Sequence, residues 1–468
     1  MIVNNICSRF FYGLCVIGML CSCESFVEVD VPSDRITGET VFNDDKTALS
    51  ALEGLYTQLF NTSFAAGGNR SVTFLAGLSG DNFAITTSTE EMVEFADYEI
   101  SPSNSFNLDL WSGAYSTIYM ANTLLEGVEN FSGLTEESRN RILGEAKFIR
   151  AFTYFYLVNL YNEIPLILTT DYNNNALASN ATTEEINLQI IADLNEALEL
   201  VGSEYPDDQR TYVNSYAIMA LLARVYLFQE NWQQAEFYST QVISAGNMYQ
   251  LLDDPNQVFL ANSQEAIWQI SPAGWGGSFR HTREGNLFVR ISSGSSPVEI
   301  SEDLMALWEE GDQRFTYWVG TYSDDTGSYF YPNKYKIQYD ASGGDIMEYS
   351  MVLRLAEQFL IRAEARARMD DIDGAVADID IIRERAEIPL ISETRPGISS
   401  SQLIDLILLE KRREFFAEWG HRWLDLKRTD SAGEVLNNEP LWEPTDVFYP
   451  IPEQERMKNP NLEQNEGY

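Results

Sequence analysis

"ARVYLFQENWQQA" (residues 223–235) and "AEARARMDDIDGA" (residues 363–375) carry one pattern twice. Each begins and ends on alanine, with a polar turn between two stretches of helical character. Before the first turn, Ala217, Leu221, Val225 and Phe228 recur at steps of three and four, which is one face of a helix. After "QENW" the run "QQAEFYSTQVI" begins another helix. Small residues at the paired positions let two helices approach closely. The pattern is that of helix-turn-helix solenoid units of about 34 residues, the tetratricopeptide type. "GEAKFIRAFTYFYLVNLY" (144–161) reads as the first helix of a further unit. Thr135 is its N-cap, Glu136 and Glu137 fill the first turn, and Ile142, Ala146, Ile149, Phe152 and Tyr156 line one face. Pro165 closes it. The spacing between units is irregular, so the chain predicts a mainly α-helical fold rather than a simple array.

Between the two halves the texture changes. Residues 251–347 are rich in Gly, Ser, Asp, Tyr and Trp, as in "SPAGWGGSFRHTREGNLF" and "TYSDDTGSYFYPNKYKIQYD". They show no sustained helical period and predict short strands and long loops. Long loops in a compact domain are usually functional or disordered, and this aromatic content argues against disorder.

All four cysteines lie at the N-terminus: Cys7, Cys15, Cys21 and Cys23. Arg9 is the only charge before residue 24, and an apolar run from Phe10 to Leu20 follows it. That run is a secretion signal, too short for a permanent membrane span of about 20 residues. Leu20-Cys21-Ser22-Cys23 resembles a bacterial lipoprotein signal in which Cys23 is lipidated and becomes the first mature residue. Cys21 fits less well, because Gly18 stands where a leucine is expected. With Cys23 lipidated, the exported part has no thiol, which excludes cysteine catalysis and thiolate metal sites.

Asp and Glu number 71 against 31 Lys and Arg, a net charge of −40. Nucleic-acid binding requires neutralising phosphates with Lys and Arg, so no nucleic-acid partner is expected. A strongly acidic surface suits solubility and disfavours polyanionic ligands. There is no Gly-Lys-Ser/Thr phosphate loop and no His-Glu-x-x-His, and His281 and His421 are the only histidines. No metal site and no cofactor are expected. "GLSGD" (77–81) lacks the spacing of a serine nucleophile elbow.

From end to end the chain resembles the SusD/RagB-like nutrient-binding outer-membrane lipoproteins of Bacteroidetes. The likeness is carried, in order, by "ESFVEVDVPSDRITGETVFNDDKTALSALEGLYTQL", "LSGDNF", "WSGAYSTIYMANTLLEGV", "GEAKFIRAFTYFYLVNLYNEIPLI", "NSYAIMALLARVYLFQENWQQAEFYSTQVI", "VLRLAEQFLIRAEARAR" and "EKRREFFAEWGHRWLDLKRT". It closes on "YPIPEQERMKNPNLEQNEGY", with Glu466 where proline is usual. The resemblance implies tetratricopeptide-like helix pairs packed against a loop-rich ligand lobe. It implies a non-enzymatic, cell-surface protein, lipid-anchored in the outer membrane, that captures oligosaccharides, or in some members peptides, for a SusC-like TonB-dependent transporter. The expected organisation is a signal peptide (1–22), anchor and tether (23–45), a first helical part (46–250), the ligand lobe (251–347), a second helical part (348–430) and the family's closing segment (431–468). A surface glycoside hydrolase is the alternative from another class, and it needs two carboxylates at a set separation.

The ligand candidates fall in loops. Asp81, Asn82 and Phe83 place polar groups beside a ring, in a region that lies near the pocket in the family. Gly-Asp-Asn is also good turn chemistry. Trp275 stands among glycines, with few neighbours to pack against, and is the expected sugar platform. Arg280 belongs with His281, Arg283 and Arg290 to the densest basic cluster, expected to pair with neighbouring acids rather than an acidic ligand. Trp318, Tyr329 and Tyr331 complete a candidate aromatic wall. By contrast Glu410, Glu414 and Glu418, four apart beside several arginines and His421, predict a partly buried ionic network. Trp111, Tyr115 and Asn122 lie on a helix, where core or capping roles are expected, and Trp232 is expected to pack at a helix-pair turn.

Overall fold

The computed structural model describes residues 38–468, so the signal peptide, Cys23 and most of the tether lie outside the described residues. The side chain of Trp275 is likewise not among those described. The fold is mainly helical. Its principal helices are α1 (Asp45–Asn61), α2 (Val72–Ser79), α3 (Ser105–Asn130), α4 (Glu136–Tyr161), α5 (Thr183–Leu200), α6 (Ser215–Phe228), α7 (Trp232–Ile243), α8 (Leu355–Arg368), α9 (Ile372–Arg385), α10 (Ser400–Phe415) and α11 (His421–Arg428).

The two quoted repeats are helix pairs α6–α7 and α8–α9, and α7 packs on α8 to join them. Their turns are built alike. Glu230 and Asp370 take positive φ (55° and 63°), and the next residue caps the second helix. Asn231 accepts from the Gln234 amide at 3.3 Å, and Asp371 from the Gly374 amide at 3.1 Å. Such caps contribute about 1 kcal/mol each. Ala223, Ala235, Ala363 and Ala375 are fully buried, as close helix approach requires. Trp232 packs beside the first turn under Arg368, 5.3 Å from its ring centroid. The long helix α4 begins at the predicted cap, Thr135 accepting from Ser138. It ends at Tyr161, before Pro165, because Asn162 turns to φ 64°.

Strands are short and pair over long sequence separations. Phe83–Ile85 (β1) runs antiparallel to Val298–Ile300 (β3), with Phe83 opposite Ile300. Ala266–Ile270 (β2) pairs with Ser350–Arg354 (β6) through an irregular register. Val319–Asp324 (β4) and Gly327–Pro332 (β5) form a hairpin, Tyr322 opposite Tyr329. One hydrophobic core runs beneath both helices and strands, so the strand-bearing lobe is not separately cored.

The acidic–basic motif of α10 is a buried ionic network. Glu414 meets Arg354 at 2.5 Å, Arg314 at 3.1 Å and also Arg385; Glu410 meets Arg314 at 2.6 Å and Arg383 at 2.8 Å. Burial alone would raise the Glu414 pKa, but Arg385, Arg354 and Arg314 outweigh it and hold the carboxyl well below the usual range. Glu418 does not share the helix. It lies past the end of α10, and left-handed Ala417 (φ 56°) turns it back onto Arg354, 2.9 Å away. His421 stacks on Phe415 with ring centroids 4.6 Å apart, and burial holds its pKa well below the ordinary value.

Candidate functional site

The "SGDNF" loop is held by partners within the fold. Gly80 follows α2, and Asp81 takes a left-handed turn with φ 53°. Its carboxylate is clamped by Arg412 at 2.9 Å and Arg422 at 3.3 Å. Asn82 is buried and accepts from Arg412 at 3.2 Å. Phe83 is buried between Phe74 and Phe288, ring centroids 6.4 and 5.3 Å away. The loop is tied into the fold as it starts β1, and its residues line neither of the cavities described below. The expectation for Trp318 is corrected. It has no exposed surface, its indole N–H donates to the Pro255 carbonyl at 3.0 Å, and Lys334 lies 4.8 Å over its ring. Its ring packs against the ionic network, with Arg354 and Arg385 5.7 and 5.5 Å from the ring centroid.

Tyr329 and Tyr331 sit on the hairpin, half-buried. Tyr329 faces Tyr322 across the strands and has the Arg290 guanidinium 4.4 Å above its ring. Tyr331 lies over Gly320, where a Cβ would come within 2.3 Å of its ring. These rings cover the hairpin and line neither cavity described next.

The glycine-rich stretch behaves differently. Ser271 caps a 3-10 turn, Pro272–Trp275, accepting from Ala273 at 3.2 Å. Gly274 presses on Phe60, and a Cβ there would lie 2.9 Å from the ring. Beyond it Gly276 (φ 66°) and Gly277 (φ 58°) are left-handed and exposed. The chain is then stitched to the 340–344 loop, Arg280 N–H to the Asp340 carbonyl at 3.0 Å and Gly343 N–H to the Ser278 carbonyl at 3.1 Å. The Arg280 side chain donates to the carbonyls of Gly344, Phe279 and Gly277 at 2.7, 2.8 and 3.1 Å. Buried Arg290 is held in the same way, by Ser293, Ser296 and Val298 carbonyls and the Thr86 hydroxyl. These guanidiniums brace loops through backbone oxygens and also lie beside acids, Arg280 near Asp340, Arg283 near Glu284 and Arg290 near Glu299. Arg283 lies over the Phe60 ring at 5.0 Å.

Between the stitched loops lies a cavity of about 420 Å³, walled by Gly276, Gly277, Arg280, Gly344, Asp345 and Tyr349. Ala273 and Tyr349 are shared with a second cavity of about 220 Å³, where Glu53, Tyr56, Gln209 and Tyr212 stand. Together they form a groove with aromatic, amide and carboxylate side chains. Nearby, Tyr339 is 60% exposed and forms an aromatic cluster with Phe279 (5.9 Å) and His281 (5.2 Å). The backbone of Trp275 lies between two wall residues, Ala273 and Gly276. Sequence reasoning missed Phe279, Tyr339 and Tyr349. Tyr339 carried the same signal as Trp275, an aromatic followed by Asp-Ala-Ser-Gly-Gly, whereas nothing local marked Tyr349.

Helix pairs carry a loop lobe with an aromatic, hydrogen-bonding groove. The chain belongs to the SusD/RagB-like family of Bacteroidetes. A family described as starch-binding and associating with the outer membrane matches residues 35–227, and the SusD family matches residues 309–468. A SusD-like protein of Formosa agariphila is 24% identical, covering 98% of both chains. The starch-binding protein SusD of Bacteroides thetaiotaomicron is 25% identical over 73% of this chain and 75% of its own. Among solved structures, a SusD superfamily protein of Bacteroides vulgatus superposes with a TM-score of 0.79 at 21% identity, covering 92% of this chain and all of that one. A laminarin-binding SusD-like protein superposes with a TM-score of 0.76 at 25% identity, covering 91% and 100%. The family is associated with the outer membrane, and no described helix is long and apolar enough to cross a membrane.

Proposed function

We propose that this chain is a cell-surface lipoprotein, anchored through Cys23, that captures oligosaccharides and delivers them to a SusC-like TonB-dependent transporter without chemically altering them. The observation that carries the reading is the groove between residues 273–280 and 344–349, with the exposed Tyr339, packed on Phe279 and buried His281, nearby. Sugars stack apolar C–H faces on rings and exchange hydrogen bonds with amides and carboxylates. Family membership and the laminarin-binding neighbour support the ligand class. The ligand is a neutral glycan. Arg280 spends its donors on carbonyls, Asp345 and Glu53 add negative charge to the groove, and a net charge of −40 repels polyanions.

Trp275 and Tyr339 are the platforms. Losing a central aromatic anchor costs about 2 kcal/mol or more, roughly 30-fold in affinity. Calorimetry of Trp275→Ala and Tyr339→Ala against starch- and laminarin-derived oligosaccharides, at low and high salt, tests the reading. The expected result is folded protein, weaker binding and little salt dependence. Unchanged affinity in both variants removes the groove from consideration, and release of reducing ends refutes the non-catalytic role. Cys23→Ala, expected to free the protein from the membrane fraction while Cys21→Ala does not, tests the anchor.

A further inference from the structure

A larger cleft lies on another part of the molecule, and none of its walls belongs to the loop lobe. It measures about 480 Å³, between α3, the segment 165–176 and the C-terminal residues 455–462. Small-ligand sites span roughly 300–1,000 Å³ and are mostly apolar and aromatic, with a few polar groups.

The cleft is an aromatic stripe by construction. Trp111, Tyr115 and Tyr119 are spaced by four on α3 and therefore share one face. Trp111 and Tyr115 pack with centroids 4.8 Å apart, and Tyr161 braces Trp111 edge-on at 4.9 Å. The Tyr115 hydroxyl donates to the Pro165 carbonyl at 2.8 Å, which fixes that ring. Further along, Tyr119 is 54% exposed and Tyr172, across the cleft, is 80% exposed. Large rings left this open on a held frame are not there for the core.

The frame is rigid. Glu126 accepts from the Thr170 amide at 2.7 Å, Asn175 donates to the Thr169 carbonyl at 2.7 Å, and Asn459 donates to the Ala178 carbonyl at 2.7 Å. Both sides of the segment bearing Tyr172 are thus tied down before any ligand arrives, which lowers the ordering cost of binding. At the rim Lys458 pairs with Glu455 at 2.7 Å, and the Lys458 side chain is 69% exposed. This gives a carboxylate and an ammonium within reach of a molecule resting on the rings.

We infer that this cleft is a second oligosaccharide-binding site, in which Tyr119 and Tyr172 stack on sugar rings and Glu455 and Lys458 hydrogen-bond their hydroxyls. Open rings with phenolic hydroxyls beside a polar pair suit a ligand with apolar faces and a hydroxylated edge. The inference rests on the glycan reading above and extends it to two sites per chain.

The test measures binding of starch- and laminarin-derived oligosaccharides to four full-length proteins: wild type, Trp275→Ala, Tyr119→Ala/Tyr172→Ala, and all three changes combined. Both tyrosines are mainly exposed, so the variants should fold, and circular dichroism checks this. Two binding events are expected in wild type. The tyrosine pair should weaken one of them at least tenfold and leave the event that Trp275→Ala weakens. A single event, lost with Trp275→Ala and untouched by the tyrosine pair, overturns the second site and leaves the groove standing. A single event lost only with the tyrosine pair supports the cleft and refutes the groove. Failure of every oligosaccharide to bind refutes both. If the tyrosine pair leaves glycan binding intact but prevents co-purification of a membrane barrel, the cleft is a protein contact and the inference is wrong.

Discussion

Residues 79–83 and residues 273–280 both read as glycine-punctuated loops with a polar–aromatic cluster, and the fold holds them in different ways. The first is pinned. Asp81 is held by two arginines, Asn82 by one of the same pair, and Phe83 by two rings. The second is supported from behind, by Phe60 beneath Gly274 and by backbone bonds to the 340–344 loop, while Gly276 and Gly277 stay open to solvent. The two differ in what surrounds them, not in composition. A polar side chain beside a ring is a binding feature only when its partners are not already supplied by the fold. Asp81 and Asn82 have theirs, from arginines more than 300 positions away in the chain.

The sharpest contrast comes from breaking the ionic network that lies behind the pinned side. Glu414→Ala leaves Arg354, Arg385 and Arg314 without their shared carboxylate, and unpairing a buried ion costs about 3–5 kcal/mol. Urea unfolding should show a loss in this range. Because the native Glu414 pKa is depressed, its contribution is present above the ordinary carboxylate pKa and is lost as pH falls through the native value. The wild-type advantage over the alanine variant should therefore shrink in acid. A loss below about 1 kcal/mol at neutral pH would mean that the network carries no stability.

Much of this scaffold was legible. The helix pairs, the Thr135 cap and the carboxylate-rich α10 announce themselves through spacing within one helix, which sequence displays directly. The lobe was not, because its strands pair partners such as Phe83 and Ile300, or Ala266 and Arg354, that no local period connects. Trp318 looked like one of several loop aromatics, and only the tertiary arrangement of Lys334, Arg354 and Arg385 around its ring reveals that it packs against the ionic network. The four-residue spacing that ends on Glu418 does not show that the helix stops before it, because the left-handed Ala417 leaves no mark in sequence.

Beneath the open side sits a carboxyl with the opposite pH behaviour. Glu284 is buried, bonded to the Ser350 hydroxyl and pressed against Gly67. Burial pushes its pKa up to about 7, with the hydrogen bonds and Arg283 opposing. A raised native pKa favours the protonated form, so its contribution is full below the unfolded value and declines as pH rises toward 7. The shift corresponds to about 3 kcal/mol at 1.36 kcal/mol per unit. Glu284→Gln, which stays neutral, should be more stabilising, or less destabilising, at pH 8 than at pH 4 by about that amount. Thermal melts at both pH values check it, and parallel pH curves would rule out the titration.

Asp81→Ala separates the loops directly. Burial lowers the Arg412 pKa to about 10 despite the opposing effect of Asp81, so removing that carboxylate leaves a poorly compensated buried cation. The expected cost is about 1–3 kcal/mol of stability, with glycan affinity unchanged. Trp275→Ala should give the reverse, stability kept and affinity lost. A folded Asp81→Ala protein with weakened binding would return this loop to the site.

The smallest effect is also the most local. Gly277 has φ 58°, and no atom lies within 4 Å of where a Cβ would sit. Gly277→Ala therefore meets no clash and suffers only the left-handed backbone penalty, about 1–2 kcal/mol. Part of that is relieved because an exposed loop can shift. The helix interior offers the control. Gly54 lies in α1 with equally open surroundings and no left-handed φ, so Gly54→Ala should stabilise by about 0.5–1 kcal/mol. Both substitutions add one methyl to empty space, and the backbone conformation alone sets the sign. In the open loop the strain has a second consequence that the helix lacks. Relaxing φ at Gly277 moves a wall of the groove, so Gly277→Ala should weaken oligosaccharide binding while its melting temperature falls by only a few degrees. Equal affinity for Gly277→Ala and wild type would mean that this wall does not touch the ligand.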